Sequence, residues 1–247
     1  MESKLAIIIP VLNCLDYTRQ MISTISTQKP YKLILLDNGS TDGTKKYFDS
    51  LAKVENIKVV HFKENIGVCP AWNFGISLAI RKFNSRYFFI PNNDILLHPR
   101  CIDLLLEAIK SPKASLVSAT DVSGRVCAPL DVLGLRVPTE TNLIEAPDFS
   151  CFITKKETIE RVGYFDEKFY PAYFEDNDYH YRINLAGLKA VKTNRALYFH
   201  YGSRSIKNND QIKTTADYGY TINRDYYYRK WGGLPGAEMY EVPFNKL

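Results

Sequence analysis

Nowhere does the 247-residue chain hold a stretch approaching 18 apolar residues, so its hydropathy excludes a membrane-spanning helix. The apolar run Leu5 to Leu12, after Glu2 and Lys4, is too short and wrongly flanked for a secretory leader. Cysteine is sparse: Cys14, Cys69, Cys101, Cys127 and Cys151 are odd in number and never form a CxxC pair. That pattern excludes a disulfide scaffold and structural zinc and suits a reducing compartment. Charge of one sign is also lacking. Lys and Arg number 32 against 27 Asp and Glu, a net +5, and no run of five like charges occurs. This falls short of a nucleic-acid footprint but suits anionic small molecules or a lipid headgroup surface. With no internal repeat and no low-complexity linker, 45% apolar and 24% charged residues exclude solenoids and disorder. The expectation is a cytoplasmic protein with no nucleic-acid partner, compatible with peripheral membrane contact.

What the chain does have is alternation. Over the first hundred residues, short β-branched runs alternate with amphipathic stretches, the pattern of a mostly parallel sheet covered on both faces. Strands are predicted at Leu5 to Ile9, Lys32 to Asp37, Ile57 to Phe62 and Tyr87 to Ile90, each a near-continuous apolar run. Helices are predicted near Asp16 to Ser26, Gly43 to Lys53 and Pro70 to Phe83. Asp42 is placed to cap the second, and Pro70 suits the first turn of the third. After a helix over Pro99 to Lys110 the strands shorten, at Ser115 to Ala119 and Phe149 to Thr154. They flank Ser123 to Pro138, expected to be an inserted hairpin or flexible loop. Lys155 to Val162 and Asp217 to Trp231 read as helices, and Ala190 and Leu197 to Tyr201 as separate strands. The expected architecture is one α/β domain with a nucleotide-type half first and a smaller, mixed half second.

Ligands of doubly wound sheets bind beyond the carboxyl ends of the strands. Those ends here are Pro10 to Asn13, Asp37 to Asp42, Glu64 to Gly67 and Asn92 to Asp94, and three of the four sets contain carboxylates. An acidic rim around an anionic ligand implies a divalent cation between them. Turn chemistry alone accounts for Asp37 to Asp42 or for Asn92 to Asp94 taken singly; their joint occurrence at matching strand ends favours a site. Phe174 to Asp178 opens a helical stretch, where acidic residues also serve as dipole partners. Glu175 and Asp176 lie about 100° apart on such a helix and cannot share one role. His200 closes the last apolar strand ahead of Gly202 to Ser205, whose Arg204 offers a fork suited to diphosphate.

Six segments occur in one order: IIIPVLN (7–13), DNGSTDGT (37–44), ENIGVCPAWNFG (64–75), PNNDILLHP (91–99), GYFDEKFYPAYFEDNDYHYR (163–182) and His200 to Ser205. Together they resemble the family 2 glycosyltransferases of the GT-A fold, especially the rhamnosyl- and galactofuranosyl-transferase types that carry NND and FEDxD. The resemblance implies a Rossmann-like, mostly parallel sheet flanked by helices. Residues 1–100 would form the nucleotide-sugar half, 101–205 the metal and acceptor half, and 206–247 a helical extension. It places Pro10, Asn13 and Asp37 around the base and ribose of a nucleoside diphosphate sugar, with Asn38 and Ser40 shaping that turn. Asn65, Gly67 and Asn73 would lie under the donor. Asn92, Asn93 and Asp94 would occupy the DxD position, with Asp94 and His200 as ligands of Mn²⁺ or Mg²⁺. Asp176 would be the general base, Glu175 its neighbour, and Arg204 and Ser205 would cover the diphosphate.

The implied reaction is metal-dependent, inverting transfer of the sugar to a hydroxyl of a saccharide or lipid-linked saccharide. Asp148, Phe149 and Ser150 with Tyr170 and Tyr173 would line the acceptor side. Asn92 departs from the pattern because it brings no charge, which leaves open a catalytically impaired nucleotide-sugar or glycan-binding module. A nucleotidyltransferase would want a Gly-rich basic loop where this chain has Pro10 to Asn13. Trp72 reads as core packing, and so do Tyr218, Tyr220, Tyr226 to Tyr228 and Trp231.

Overall fold

The computed structural model describes residues 4–112, 114–202 and 210–246, with only the helix path given over 210–216. A nine-stranded sheet organises the chain in the order β3-β2-β1-β4-β8-β6-β9-β5, with β7 paired to β9. β1 (Leu5–Val11), β2 (Tyr31–Asp37), β3 (Ile57–His61) and β4 (Tyr87–Pro91) run parallel. β8 (Cys151–Lys155) pairs antiparallel with β4 and with β6 (Leu116–Asp121); β9 (Ala190–His200) lies parallel to β6 and antiparallel to β5 (Ile95–Leu97) and β7 (Leu143–Ile144). The carboxyl ends of β1 to β4 and of β9 therefore share one edge.

The apolar runs follow from burial on both faces. Leu5, Ile7, Ile9 and Val11 enter one core cluster and Ala6 and Ile8 the other, the period-two alternation that a strand imposes. Residues of α1 (Leu15–Ser23), α2 (Thr44–Leu51) and α4 (Cys101–Ala108) join the first cluster. Residues of α3 (Val68–Phe83), α5 (Lys156–Val162), α6 (Glu175–Leu185) and α7 (Asp210–Trp231) join the second. Trp72 is buried against Phe152 and Phe165, with ring centroids 5.5 and 4.9 Å away.

Two expectations are corrected. Ser123 to Pro138 forms no hairpin: it contains a 3₁₀ turn, Pro129–Gly134, whose Val132 is buried with Leu96, Val122 and Leu197. The last two predicted strands are one, β9, which stays continuous past a register shift opposite Ser118 to Thr120. Ile95–Leu97, where no strand is predicted, is also a buried strand.

α7 is fastened to α6 by buried charge. Lys230 Nζ lies 2.7 Å from Asp166 Oδ2 and 2.6 Å from Asp178 Oδ1. The indole of Trp231 donates to Asp178 at 2.9 Å, and Arg182 Nε donates to its other oxygen at 2.9 Å. Asp178 is thus consumed by packing, in the first turn of the helix that Glu175 and Asp176 open. Tyr227 and Trp231 are buried, whereas Tyr218, Tyr220 and Tyr228 point outward.

Candidate active site

Short loops at the carboxyl edge are stitched together by side-chain amides. Asn13, in the left-handed region at φ 58°, accepts from Thr41 N–H at 2.8 Å, and its own N–H donates to Ser40 Oγ at 2.8 Å. Asn93 Nδ2 donates to the Asn13 carbonyl at 3.3 Å and to Thr18 Oγ1 at 3.0 Å. Asn38 Nδ2 donates to Asn65 Oδ1 at 3.0 Å, and Asn38 Oδ1 accepts from Ile66 N–H at 3.0 Å. Gly67 has φ +90°, and a Cβ there would sit 2.8 Å from the Tyr170 ring, so the loop depends on a residue without one. Asp42 serves two helices: Oδ1 accepts from Thr44 Oγ1 at 2.6 Å and Oδ2 from Leu15 N–H at 2.8 Å. Asp37 is buried, with Oδ1 accepting from Ser40 N–H at 2.9 Å and Oδ2 2.8 Å from His61 Nδ1.

Across the edge, antiparallel pairing of β5 with β9 puts Ile95 opposite His200. His200 Nε2 consequently lies 3.2 Å from the Oδ1 of buried Asp94. Burial works against a charged His200 ring, but the hydrogen bond to Asp94 and the charges of Asp94, Asp121 and Asp148 outweigh it and raise the pKa. The pair offers one carboxylate oxygen and one imidazole nitrogen, donors that would suit a divalent cation once the ring is deprotonated. Among the described residues no group of three or more His, Cys, Asp or Glu is arranged to hold a metal.

Asp148 links this pair to the acidic helix start. Its Oδ2 accepts from Tyr198 O–H at 2.7 Å and its Oδ1 from Ser150 N–H at 2.8 Å. Its charge acts on both His200 and Asp176. Burial pushes the Asp176 carboxyl up, the Asn177 N–H pulls it back, and Asp148 adds to the rise. Glu175 turns inward: its Oε2 is buried without a hydrogen-bond partner, and burial, then the charge of Asp176, pushes its pKa up to about 8.

Such a raised carboxyl has a definite linkage sign. Between the ordinary value of 4.5 and about 8 the folded state holds a proton that the unfolded chain has released, so stability falls as pH rises through that window and then levels. Glu175→Gln keeps the neutral shape and should flatten that part of the Tm profile, with a higher Tm than the parent above pH 8. A variant that reproduces the parent slope would show that Glu175 titrates normally.

Of the residues singled out in the sequence, Pro10, Asn13, Asp37, Asn38, Asn65, Gly67, Asn92, Asn93, Asp94 and His200 all lie at this one edge. Asn92 donates its N–H to Ser150 O at 2.8 Å, next to Asp148. Asn73 faces another way: its amide bonds Phe165 N–H at 3.0 Å, Phe165 O at 2.9 Å and Glu167 at 2.9 Å, clamping the 163–167 loop onto α3. Tyr170 O–H donates to Asn65 O at 3.2 Å, and Tyr173 packs on Tyr220. Arg204 and Ser205 lie outside the described residues. His61 was not anticipated; its position ending β3 opposite Asp37 was the available signal.

A parallel nucleotide-type sheet extended by antiparallel strands, with its site at the carboxyl edge, is the architecture of a GT-A glycosyltransferase. The glycosyl transferase family 2 model matches residues 6–159, and the chain belongs to that family. It is similar to the N-acetylglucosaminyl-diphospho-decaprenol L-rhamnosyltransferase of Mycobacterium tuberculosis, 25% identical over 74% of this chain and 70% of that protein. It is also similar to the galactofuranosyl glycosyltransferase of Leishmania donovani, 21% identical over 85% of this chain and 60% of that protein. The fold matches that of the mannosyltransferase PcManGT from Pyrobaculum calidifontis, solved with GDP-Man and Mn²⁺, at a TM-score of 0.60 and 19% identity. That match covers 80% of this chain but 57% of the mannosyltransferase.

Proposed function

We propose that the protein transfers a sugar, with inversion, from a nucleoside diphosphate sugar to a hydroxyl of a saccharide or lipid-linked saccharide. The observation that carries this reading is the 3.2 Å Asp94–His200 contact at the carboxyl edge of the sheet. Pro10, Asn13 and Asp37 receive the nucleoside, and Asn65, Gly67 and Asn92 border the diphosphate.

Asp94 and His200 would hold Mn²⁺ or Mg²⁺, which would supply charge neutralisation for the leaving diphosphate. Asp176 accepts the proton of the acceptor hydroxyl as its oxygen bonds to the anomeric carbon and the bond to the diphosphate oxygen breaks. Asp176 acting alone as base on the acceptor hydroxyl gives inversion, whereas a retaining double displacement would need a second carboxylate as nucleophile. Burial suits Asp176 to its task, because a base works best with a pKa near the operating pH. The decaprenol-linked acceptor of the mycobacterial relative and the GDP-Man bound by the Pyrobaculum enzyme support this substrate class.

A thermal-shift screen of UDP-, GDP- and dTDP-sugars with and without Mn²⁺ tests the reading. One donor should raise Tm only when Mn²⁺ is present, since ligand at 100 times its Kd stabilises by about 2.7 kcal/mol. No response to any donor would sink the proposal. Asn92 in place of a carboxylate favours a binding module as the second reading. That module would show the Tm rise yet release no free nucleoside diphosphate with any acceptor.

A further inference from the structure

We infer that His61 is a positioning residue for the nucleoside pocket, the inner link of a chain Lys45–Asp49–His61–Asp37 that fixes the carboxylate of Asp37. This rests on the reading of Asp37 as a donor contact. Asp37 and His61 are direct neighbours in the β2–β3 register, at the carboxyl ends of both strands. The His61 ring bridges two carboxylates, with Nδ1 2.8 Å from Asp37 Oδ2 and Nε2 2.9 Å from Asp49 Oδ1. An ionised carboxylate only accepts, so a ring N–H facing either carboxylate donates to it.

Asp49 is anchored in turn by Lys45 at 2.8 Å, one helical turn away. Its carboxyl sits below the usual range, chiefly through the Lys45 hydrogen bond and next through that to His61. The chain is graded in exposure: the side chains of Lys45 and Asp49 are 63% and 52% exposed, that of His61 24% and that of Asp37 3%. The outer charges lie in solvent and the inner one is sequestered, as expected of a device that orients a buried ligand contact from outside. With Oδ2 held by the ring and Oδ1 by Ser40 N–H at 2.9 Å, the Asp37 carboxylate is locked about its χ2. An unanchored Asp37 would have to freeze that rotation on binding, which weakens affinity without touching the transfer step.

Calorimetric titration of the full chain with UDP, GDP and dTDP in Mn²⁺ identifies the nucleotide that binds. It is then repeated on Asp37→Ala, His61→Ala and Asp49→Ala, alongside Tm and donor-hydrolysis kinetics. His61→Ala should weaken binding by about 10-fold, in the range typical of residues that orient ligand contacts. Its donor KM should rise in step while kcat at saturating donor stays within about twofold of the parent, which separates uniform binding from chemistry. If His61→Ala does not fold, Asp49→Ala, at an exposed position, takes its place: weaker nucleotide binding supports the chain and unchanged binding overturns it. Weak binding by Asp37→Ala with normal binding by His61→Ala overturns the inference alone. Normal binding by Asp37→Ala overturns the assignment of the nucleoside pocket and this inference with it.

Discussion

Asp176→Asn should turn over at least about 100-fold more slowly than the parent, because a positioned general base contributes roughly 10² to 10⁴ in rate. The substitution preserves size and the hydrogen bond from Asn177 N–H to Oδ1 at 2.8 Å, so the first turn of α6 keeps its shape. It removes a carboxylate that burial and the Asp148 charge already disfavour, which relaxes the site electrostatically and should leave Tm equal or higher. Donor binding, measured as the Mn²⁺-dependent Tm rise, should persist. The expected signature is therefore a kcat effect at constant donor affinity, the mark of an interaction made in the transition state. Near-parental turnover would remove Asp176 from the chemistry. Glu175→Gln serves as the internal comparison: its buried carboxyl is already neutral below about pH 8, so turnover at neutral pH should change far less.

How much of this was legible in the sequence follows from which interactions are local. Strands β1, β2 and β4 were visible because burial on both faces forces unbroken apolar runs, and their carboxyl ends could be located to within a residue or two. The middle of β9 was not visible. Thr193, Asn194 and Arg195 read as loop, yet Thr193 O accepts from Thr120 at 2.8 Å, and Asn194 Oδ1 receives Asn142 N–H at 2.8 Å. Those partners lie 73 and 52 residues away, beyond any periodicity window. β5 was hidden for a similar reason: three apolar residues after a polar turn carry no signal of their own until β9 pairs with them.

The candidate site divides the same way. Asp94 and Asp176 stood out because they lie in recognisable polar turns at element boundaries. His61 was passed over and Asn73 misplaced because their roles are set by distant partners, Asp49 and Asp37 for the ring, Phe165 and Glu167 for the amide. A polar residue on α3 can line a cleft or clamp a loop, and only the placement of residues 163–167 decides between them. The acidic run Glu175 to Asp178 shows how one motif splits: Glu175 keeps one buried oxygen without a hydrogen bond, Asp176 is pushed up chiefly by burial with the charge of Asp148 adding to it, and Asp178 is saturated by Lys230, Trp231 and Arg182.

Asp94→Ala should produce the other large loss, about 10² to 10³ in turnover, the scale seen when one preorganised stabiliser of developing charge is removed. Unlike Asp176→Asn, it should also abolish the Mn²⁺ dependence of the donor-induced Tm rise, since a lone imidazole with diphosphate is a poor cradle for a hard cation. The His200 ring would lose its hydrogen bond and the nearest charge holding its pKa up, leaving burial to favour the neutral form. Chelation supplies the matching arm of a thermodynamic cycle. In the parent, EDTA should lower turnover about as much as the substitution does; in Asp94→Ala it should lower it little further, because both perturbations remove one element. A parent enzyme indifferent to EDTA would make the 3.2 Å Asp94–His200 contact a structural ion pair joining β5 to β9. The leaving diphosphate would then have to be neutralised by the chain's own cations.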